Sequence, residues 1–313
     1  MYKAFFGLRA NPFNVNPDPR FLFHTPYTEE ALACLTYGIQ NRKGFVLLTG
    51  EVGTGKTTLI QKLMEWLKLQ RVSTAFLFNP KMNVSEFFDY MLTDFGIPSQ
   101  PSNKSQTLIR LNSWLLERYQ FGETAVLIID EAQNLSDELL EEIRLLTNLE
   151  TASEKLLQIL LVGQPELEQK LKQPHLRQLR QRITVKARTQ ALSLEETHSY
   201  ILRRLAIAGA KTSDVFLPHA VELIQAHSKG IPRIINVICE HCLITSFVDG
   251  NLQIAAEVVQ KVAEDLDLVP SEVHAPTTSQ RTSSSKIDLF DALKIVAEQL
   301  RQIESAVPQG RKA

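Results

Sequence analysis

Cysteine, net charge and long apolar runs are all scarce in this sequence, and each scarcity excludes something. The three cysteines, Cys34, Cys239 and Cys242, are too few and too unevenly spaced for a disulfide framework, which suits a reducing compartment. Lysine and arginine total 34 against 35 acidic residues, so the chain carries no global attraction to nucleic acid or to an anionic membrane. Any such contact has to be local. No apolar stretch approaches the ~20 residues that cross a bilayer, and residues 1–12 lack a basic segment followed by an apolar core. The expectation is a cytoplasmic chain with no transmembrane segment and no export signal. What the sequence does have is material for a core: 313 residues at 44% hydrophobic suggest two packed domains plus a tail.

The first 25 residues mix Phe5, Phe6, Phe13, Phe21 and Phe23 with Pro12, Pro17 and Pro19, a pattern that suits an extended strap over a core. Helical periodicity then runs from Thr28 to Arg42, and Phe45 to Thr49 is a short apolar run bounded by glycines, as a buried parallel strand should be. Further strands are expected at Ser73–Phe78, Ala125–Ile129, Leu156–Val162 and Ile183–Ala187, separated by helices such as Lys104–Gln120 and Asp137–Leu149. That alternation predicts a parallel α/β sheet covered on both faces. After Leu192 the strand signals stop, and Ser193 with Glu196 makes a capping box that opens an all-helical domain. Its helices are expected at Ser193–Ala208, Pro218–Ser228, Pro232–Val248 and Ala255–Leu266. The predicted division is therefore a core with strap over 1–190, a helical lid over 191–268, a Ser/Thr/Pro-rich linker over 269–286 and an amphipathic helix over 287–306.

Gly50, Glu51, Val52, Gly53, Thr54, Gly55, Lys56 and Thr57 fit the phosphate-loop pattern, followed by Thr58 in the helix. The stretch sits after a strand and at a helix start, where the chemistry needs it. Glycines let backbone amides turn inward around phosphates, the helix N-terminus adds positive potential, Lys56 reaches the outer phosphates, and the Thr57 hydroxyl ligates magnesium. Val126 to Ile129 run straight into Asp130 and Glu131, so a buried strand delivers two carboxylates to the sheet's C-terminal edge, where ligands bind. Asp130 would hold the magnesium-bound water, and Glu131 would act as general base on the water attacking the terminal phosphate. Helix capping is the alternative for this pair. ATP and Mg2+ are the cofactors implied. Asn79 ends the preceding strand, either as an amide that restrains Glu131 or as a turn residue before Pro80.

The spacing of phosphate loop, acid pair, later strand and helical lid resembles an AAA+ P-loop ATPase. More narrowly, Phe5-Phe6-Gly7-Leu8, Asn11-Pro12-Phe13, Pro17-Asp18-Pro19, the run Gly44 to Thr57, and Leu161-Val162-Gly163-Gln164-Pro165-Glu166-Leu167 resemble the general secretion pathway protein A (ExeA-like) family over about residues 1–268. The resemblance implies that Gln164 is the first sensor, contacting the terminal phosphate or orienting water; capping of the helix begun by Pro165 is the alternative. It implies that Arg233, after Gly230-Ile231-Pro232, is the lid's sensor arginine. It also implies that an arginine before the strand at Ile183 reaches a neighbouring subunit's ATP site, with Arg182 the best match and Arg180 next. A ring-like, ATP-dependent homo-oligomer follows, with a peripheral place at the inner membrane.

The implied activity is ATP hydrolysis that assembles or remodels an envelope complex of the secretion, pilus or polysaccharide-export kind, met through the lid or the C-terminal helix. The alternative is a DNA-associated regulator resembling the ATPases of transposition systems, against which the balanced charge argues. A metabolic kinase ranks last, because it would not explain Glu131 with Arg182 and Arg233. Arg177 to Arg188 carries five positive residues, a local basic cluster that suits a subunit contact better than nucleic acid. Cys239-Glu-His-Cys242 has a zinc-like spacing but lies in an apolar helix with no second ligand pair, so packing is expected. In the tail, Leu289, Leu293, Val296, Leu300, Ile303 and Val307 recur at coiled-coil spacing and predict a helix that either docks on a partner or folds back on its own lid.

Overall fold

A computed structural model describes residues 2–78, 80–98, 103–212 and 214–268. Asn79, the linker over 269–286 and the helix over 287–306 lie outside the described residues. In chain order the elements are α1 (Tyr2–Phe5), α2 (Pro26–Gln40), β1 (Phe45–Thr49), α3 (Lys56–Leu67), β2 (Val72–Leu77), α4 (Val84–Asp94), α5 (Lys104–Gln120), β3 (Thr124–Ile129) and α6 (Asp137–Leu146). They continue with β4 (Leu157–Gly163), α7 (Pro165–Leu171), α8 (Arg177–Arg182), β5 (Ile183–Arg188), α9 (Leu194–Ile207), α10 (Pro218–Ser228), α11 (Pro232–Val248) and α12 (Ala256–Asp265).

The chain divides into two compact units. One comprises residues 26–50 and 62–189 and holds the sheet. Its five strands run parallel in the order β2-β3-β4-β1-β5, so each connection between consecutive strands is a crossover and all the strand C-termini share one edge. The central strands are apolar on both faces because helices cover both: Val126 to Ile129 and Val46 to Leu48 are at most 3% exposed. Phe87, Met91, Leu111, Leu139 and Ile143 from α4, α5 and α6 pack with Leu127, Ile129 and Ile159 in one core. At the β2 edge the Phe76 N–H donates to the Asp94 carboxylate of α4 at 2.5 Å.

The other unit comprises residues 2–25, 51–61 and 190–268. Its core is helical, with Tyr200, Ile201, Leu205, Ile224, Ile235, Ile238, Cys242 and Val259 buried together. Ser193 accepts from the Glu196 N–H while the Glu196 carboxylate accepts from the Ser193 N–H, the capping box that starts α9. The strap belongs with these helices rather than with the sheet unit, and it opens on the short helix α1 instead of an extended run. Phe6, Leu8 and Phe13 are buried in the helical core, Phe13 edge-on to Phe216. The Tyr2 hydroxyl and the Asn11 amide both donate to Glu240 Oε1, at 2.8 and 3.1 Å. Arg204, 7% exposed, gives its guanidinium to the carbonyls of Pro12 and Asn14 and to the Tyr200 hydroxyl, and lies over the Phe21 ring. A buried cation here is satisfied by oxygens and an aromatic face.

Candidate nucleotide site

Strand β1 ends at Thr49, and the Gly50 N–H still donates to the Gly163 carbonyl at 3.3 Å, one step past the β1–β4 ladder. The chain then turns through a loop organised on a single acceptor. The Glu51 carbonyl receives the Thr54 hydroxyl at 2.7 Å, the Thr54 N–H at 3.3 Å and the Lys56 ammonium at 2.9 Å. Gly53 and Gly55 make this turn possible, with φ of +82° and +93°, values that side-chain-bearing residues adopt at a cost. Lys56, 6% exposed, opens α3, so its buried charge sits at the positive end of a helix where an anion would be stabilised. That donor chemistry fits a polyphosphate. Thr57 and Thr58 follow in the first turn, both half-buried. Glu51 and Val52 are exposed.

The loop also touches the helical lid of its own unit. Pro232 occupies the first turn of α11, leaving Arg233's N–H among the amides without an intrahelical partner, and it donates to the Gly53 carbonyl at 3.2 Å. A Cβ on Gly53 would lie 2.7 Å from the Arg233 Cβ and 3.0 Å from Ile231 Cγ2. Glycine is therefore required at position 53 twice over, for its φ and for this approach. The Arg233 side chain itself is exposed.

At the end of β3, Asp130 is 6% exposed and its N–H donates to the Leu77 carbonyl of β2 at 2.9 Å. Asp130 Oδ1 accepts from the Glu131 N–H at 2.9 Å. Glu131 takes the left-handed conformation, φ 53° and ψ 38°, which a residue with a Cβ adopts only when its surroundings impose it. Its carboxylate is held: Oε2 accepts from Gln133 Nε2 at 2.5 Å and from Gln164 Nε2 at 3.1 Å. The Gln164 N–H donates in turn to Gln133 Oε1 at 3.2 Å. Gln164 stands at the start of α7 but its side chain makes no cap hydrogen bond there. The amides around Glu131 in the described structure are thus Gln133 and Gln164. Gln133 was not singled out from the sequence; its one signal was its place in the short 3-10 turn Ala132–Asn134 that follows the acid pair.

The Thr57 hydroxyl in the one unit and the Asp130 carboxylate in the other are each hard oxygen donors of the kind magnesium takes. Near the same strand ends, the Thr49 hydroxyl donates to Glu168 Oε1 at 2.5 Å, and Arg188 pairs with both Glu168 oxygens. Burial pushes the Glu168 carboxyl up, but the hydrogen bonds from Arg188 and Thr49 outweigh it and hold the group below the usual range. Arg182 is committed to its own unit: its guanidinium donates to the Arg144 carbonyl at 3.0 Å, to Asn148 Oδ1 at 2.9 Å and to the Thr147 hydroxyl, closing the C-terminal end of α6. Arg177 and Arg180 are exposed. Cys239 and Cys242 are fully buried in the helical core, and burial raises both thiols, Cys242 to about 12, which makes them packing groups and poor ligands.

Comparison with known proteins agrees with this architecture. Residues 39–171 match the AAA domain family. General secretion pathway protein A from Aeromonas hydrophila is 40% identical over 273 residues, covering 87% of this chain and 50% of its own length. The chain thus spans half of that relative. Among solved structures, the fold is similar to the Aeropyrum pernix ORC2 protein in its ADPNP-ADP complexes, with a TM-score of 0.60 at 20% identity over 84% of this chain and 72% of that one. CDC6P from Pyrobaculum aerophilum gives 0.63 at 19% identity over 82% and 71%, and the Thermotoga maritima RuvB Holliday junction branch migration motor 0.52 at 18% over 78% and 70%. Among the described residues no helix is long and apolar enough to cross a membrane. A glycine-bent phosphate loop after β1 and an acid pair after β3 in a β2-β3-β4-β1-β5 sheet thus go together with an AAA domain match over residues 39–171 and with similarity to general secretion pathway protein A over half of that protein's length.

Proposed function

We propose that this chain hydrolyses ATP. The reading rests on one observation above the rest: Glu131 is held by its backbone and two amides at the end of a buried strand, directly after Asp130. A carboxylate kept in a left-handed backbone conformation is expensive to maintain for packing alone, whereas a base that must meet a water needs such fixing. Lys56 and the loop amides bind the outer phosphates, and Thr57 and Asp130 hold magnesium or its water. When bound, magnesium neutralises charge on the phosphate oxygens. Glu131 takes the proton of the attacking water, and the Gln164 amide contacts the terminal phosphate. Arg233 senses the nucleotide from the lid.

The finer reading is a ring-like homo-oligomer at the cytoplasmic side of the inner membrane, using hydrolysis to assemble or remodel an envelope complex. The 40%-identical secretion relative supports it. In that assembly an arginine of α8 reaches the neighbour's nucleotide. Arg180 is exposed and available for this, while Arg182 would have to leave its bonds to α6.

Labelled-ATP binding and phosphate release on Glu131→Gln test the central claim. The variant is expected to bind ATP as the parent does and to lose turnover by roughly 100-fold or more, the usual weight of a positioned base. Hydrolysis at the parental rate would remove Glu131 from the role.

A further inference from the structure

We infer that Gln133 is the positioning residue that orients Glu131 for proton abstraction, an inference that rests on the reading of Glu131 as the base. Both amide donors, Gln133 Nε2 and Gln164 Nε2, converge on one carboxylate oxygen, Oε2. The other oxygen, Oε1, is left to accept a proton. The backbone beneath is fixed from both sides, with the Glu131 N–H on Asp130 Oδ1 and the Glu131 carbonyl accepting the Asn134 N–H at 2.9 Å. A glutamate has three free torsions, so a fixed backbone alone does not fix its carboxylate; an anchored donor at the far end does.

Gln133 is itself anchored. Its Oε1 accepts the Gln164 N–H, which sets the amide the right way round so that its N–H groups face Glu131. Glycine at residue 163 leaves room beside that carbonyl: a Cβ there would lie 2.8 Å from Leu167 Cδ2 and 2.9 Å from Gln133 Oε1. The turn from β4 into α7 and the turn after β3 are in this way joined through one side-chain amide. Of the two donors to Oε2, Gln133 is the one whose side-chain amide is also anchored at its oxygen, by the Gln164 N–H.

The test compares Gln133→Leu, which loses the amide and is one bond shorter, with Gln133→Asn, which has the reach of leucine but keeps the amide. Steady-state phosphate release gives kcat and KM, a fluorescent-nucleotide titration gives the dissociation constant, and thermal melting reports the fold. The expected result for Gln133→Leu is a kcat about 10- to 100-fold lower with nucleotide affinity and melting unchanged, the size of loss that follows from a slightly misplaced base. Gln133→Asn should fall between it and the parent, and it carries the test should the leucine variant not fold. A parental kcat in both variants overturns the inference. So does a loss in which affinity, melting and kcat decline together, because Gln133 would then be a brace for the β4–α7 turn. Glu131→Gln separates the layers: if it turns over normally the base assignment itself has failed, whereas an inactive Glu131→Gln beside fully active Gln133 variants removes only the role of Gln133.

Discussion

The ends of β1 and β3 deliver their chemistry at the same edge of one sheet by opposite means. After β1 the chain bends through Gly53 and Gly55, residues whose backbone reaches positive φ at little cost, and three donors gather on the Glu51 carbonyl. After β3 a positive φ falls on Glu131, which has a Cβ, and neighbours must impose it: Asp130 on the N–H, Asn134 on the carbonyl, Gln133 and Gln164 on the carboxylate. The first turn uses backbone freedom to make room for a ligand's phosphates. The second uses side-chain bonds to hold a reactive group still. A loop that binds can be written in glycine, but a group that reacts has to keep its side chain and be restrained from outside.

The largest effect is expected where the loop loses its charge. Lys56→Ala removes the ammonium and should weaken ATP binding by about 100-fold, the worth of a strong charge-assisted hydrogen bond, as a labelled-ATP titration would show. Should binding survive, the loop's backbone alone would suffice and the contrast between the two strand ends would blur. Next come the loop glycines. Gly53→Ala meets both a positive φ and the Arg233 Cβ at 2.7 Å, and should cost roughly 1–3 kcal/mol of nucleotide-free stability. Gly55→Ala meets the φ but nothing within 4 Å, and should cost about 1 kcal/mol. Equal melting temperatures for the two would mean that the loop–lid approach carries no weight.

Arg182→Ala should lower stability by about 1–2 kcal/mol through lost bonds at the end of α6, while exposed Arg180→Ala should leave melting unchanged. Mixing each with Lys56→Ala subunits then reads the in-trans role apart from the fold: the arginine whose loss is rescued by mixing is the one that reaches a neighbour. The smallest effect concerns Glu168. Its carboxyl is held below the ordinary 4.5, so the stability that the Arg188 and Thr49 bonds contribute is present above 4.5 and disappears as pH falls through the lowered value. The melting difference between parent and Glu168→Gln should therefore shrink on acidification below about pH 4.5. A difference independent of pH would mean that packing, and not the charge, is what Glu168 supplies.

Much of the architecture was legible because it is periodic. The apolar run Phe45–Thr49 is β1 to the residue, and Lys104–Gln120, Pro218–Ser228 and Pro232–Val248 are α5, α10 and α11 as expected. Helix α4 passed unannounced although it carries a signal, Asn83 and Glu86 forming a reciprocal capping box ahead of Phe87, Phe88 and Met91. What the sequence hid is long-range and side-chain-made. Nothing local in Gln133 tells that it reaches Glu131 and the turn after β4. Nothing in Arg182 tells that Arg144, Thr147 and Asn148, more than thirty residues earlier, take its guanidinium. The strap was placed by its prolines as an extended run on the core, whereas its phenylalanines find their burial among helices from the last third of the described chain.

That placement of the strap sets an order of events during synthesis. Tyr2 is made well before its partner Glu240, which follows 238 residues later. At ~5–20 residues per second that is a delay of roughly 10–50 s. Through this interval Phe5, Phe6 and Phe13 have no core to enter, and the carbonyls of Pro12 and Asn14 wait for Arg204. The sheet unit, whose segments lie within residues 26–189, is complete well before. The nascent chain therefore carries a folded sheet with an apolar N-terminal arm still in solvent, a species that invites capture by chaperones and punishes crowding by its own copies until the helix carrying Glu240 arrives to enclose the arm.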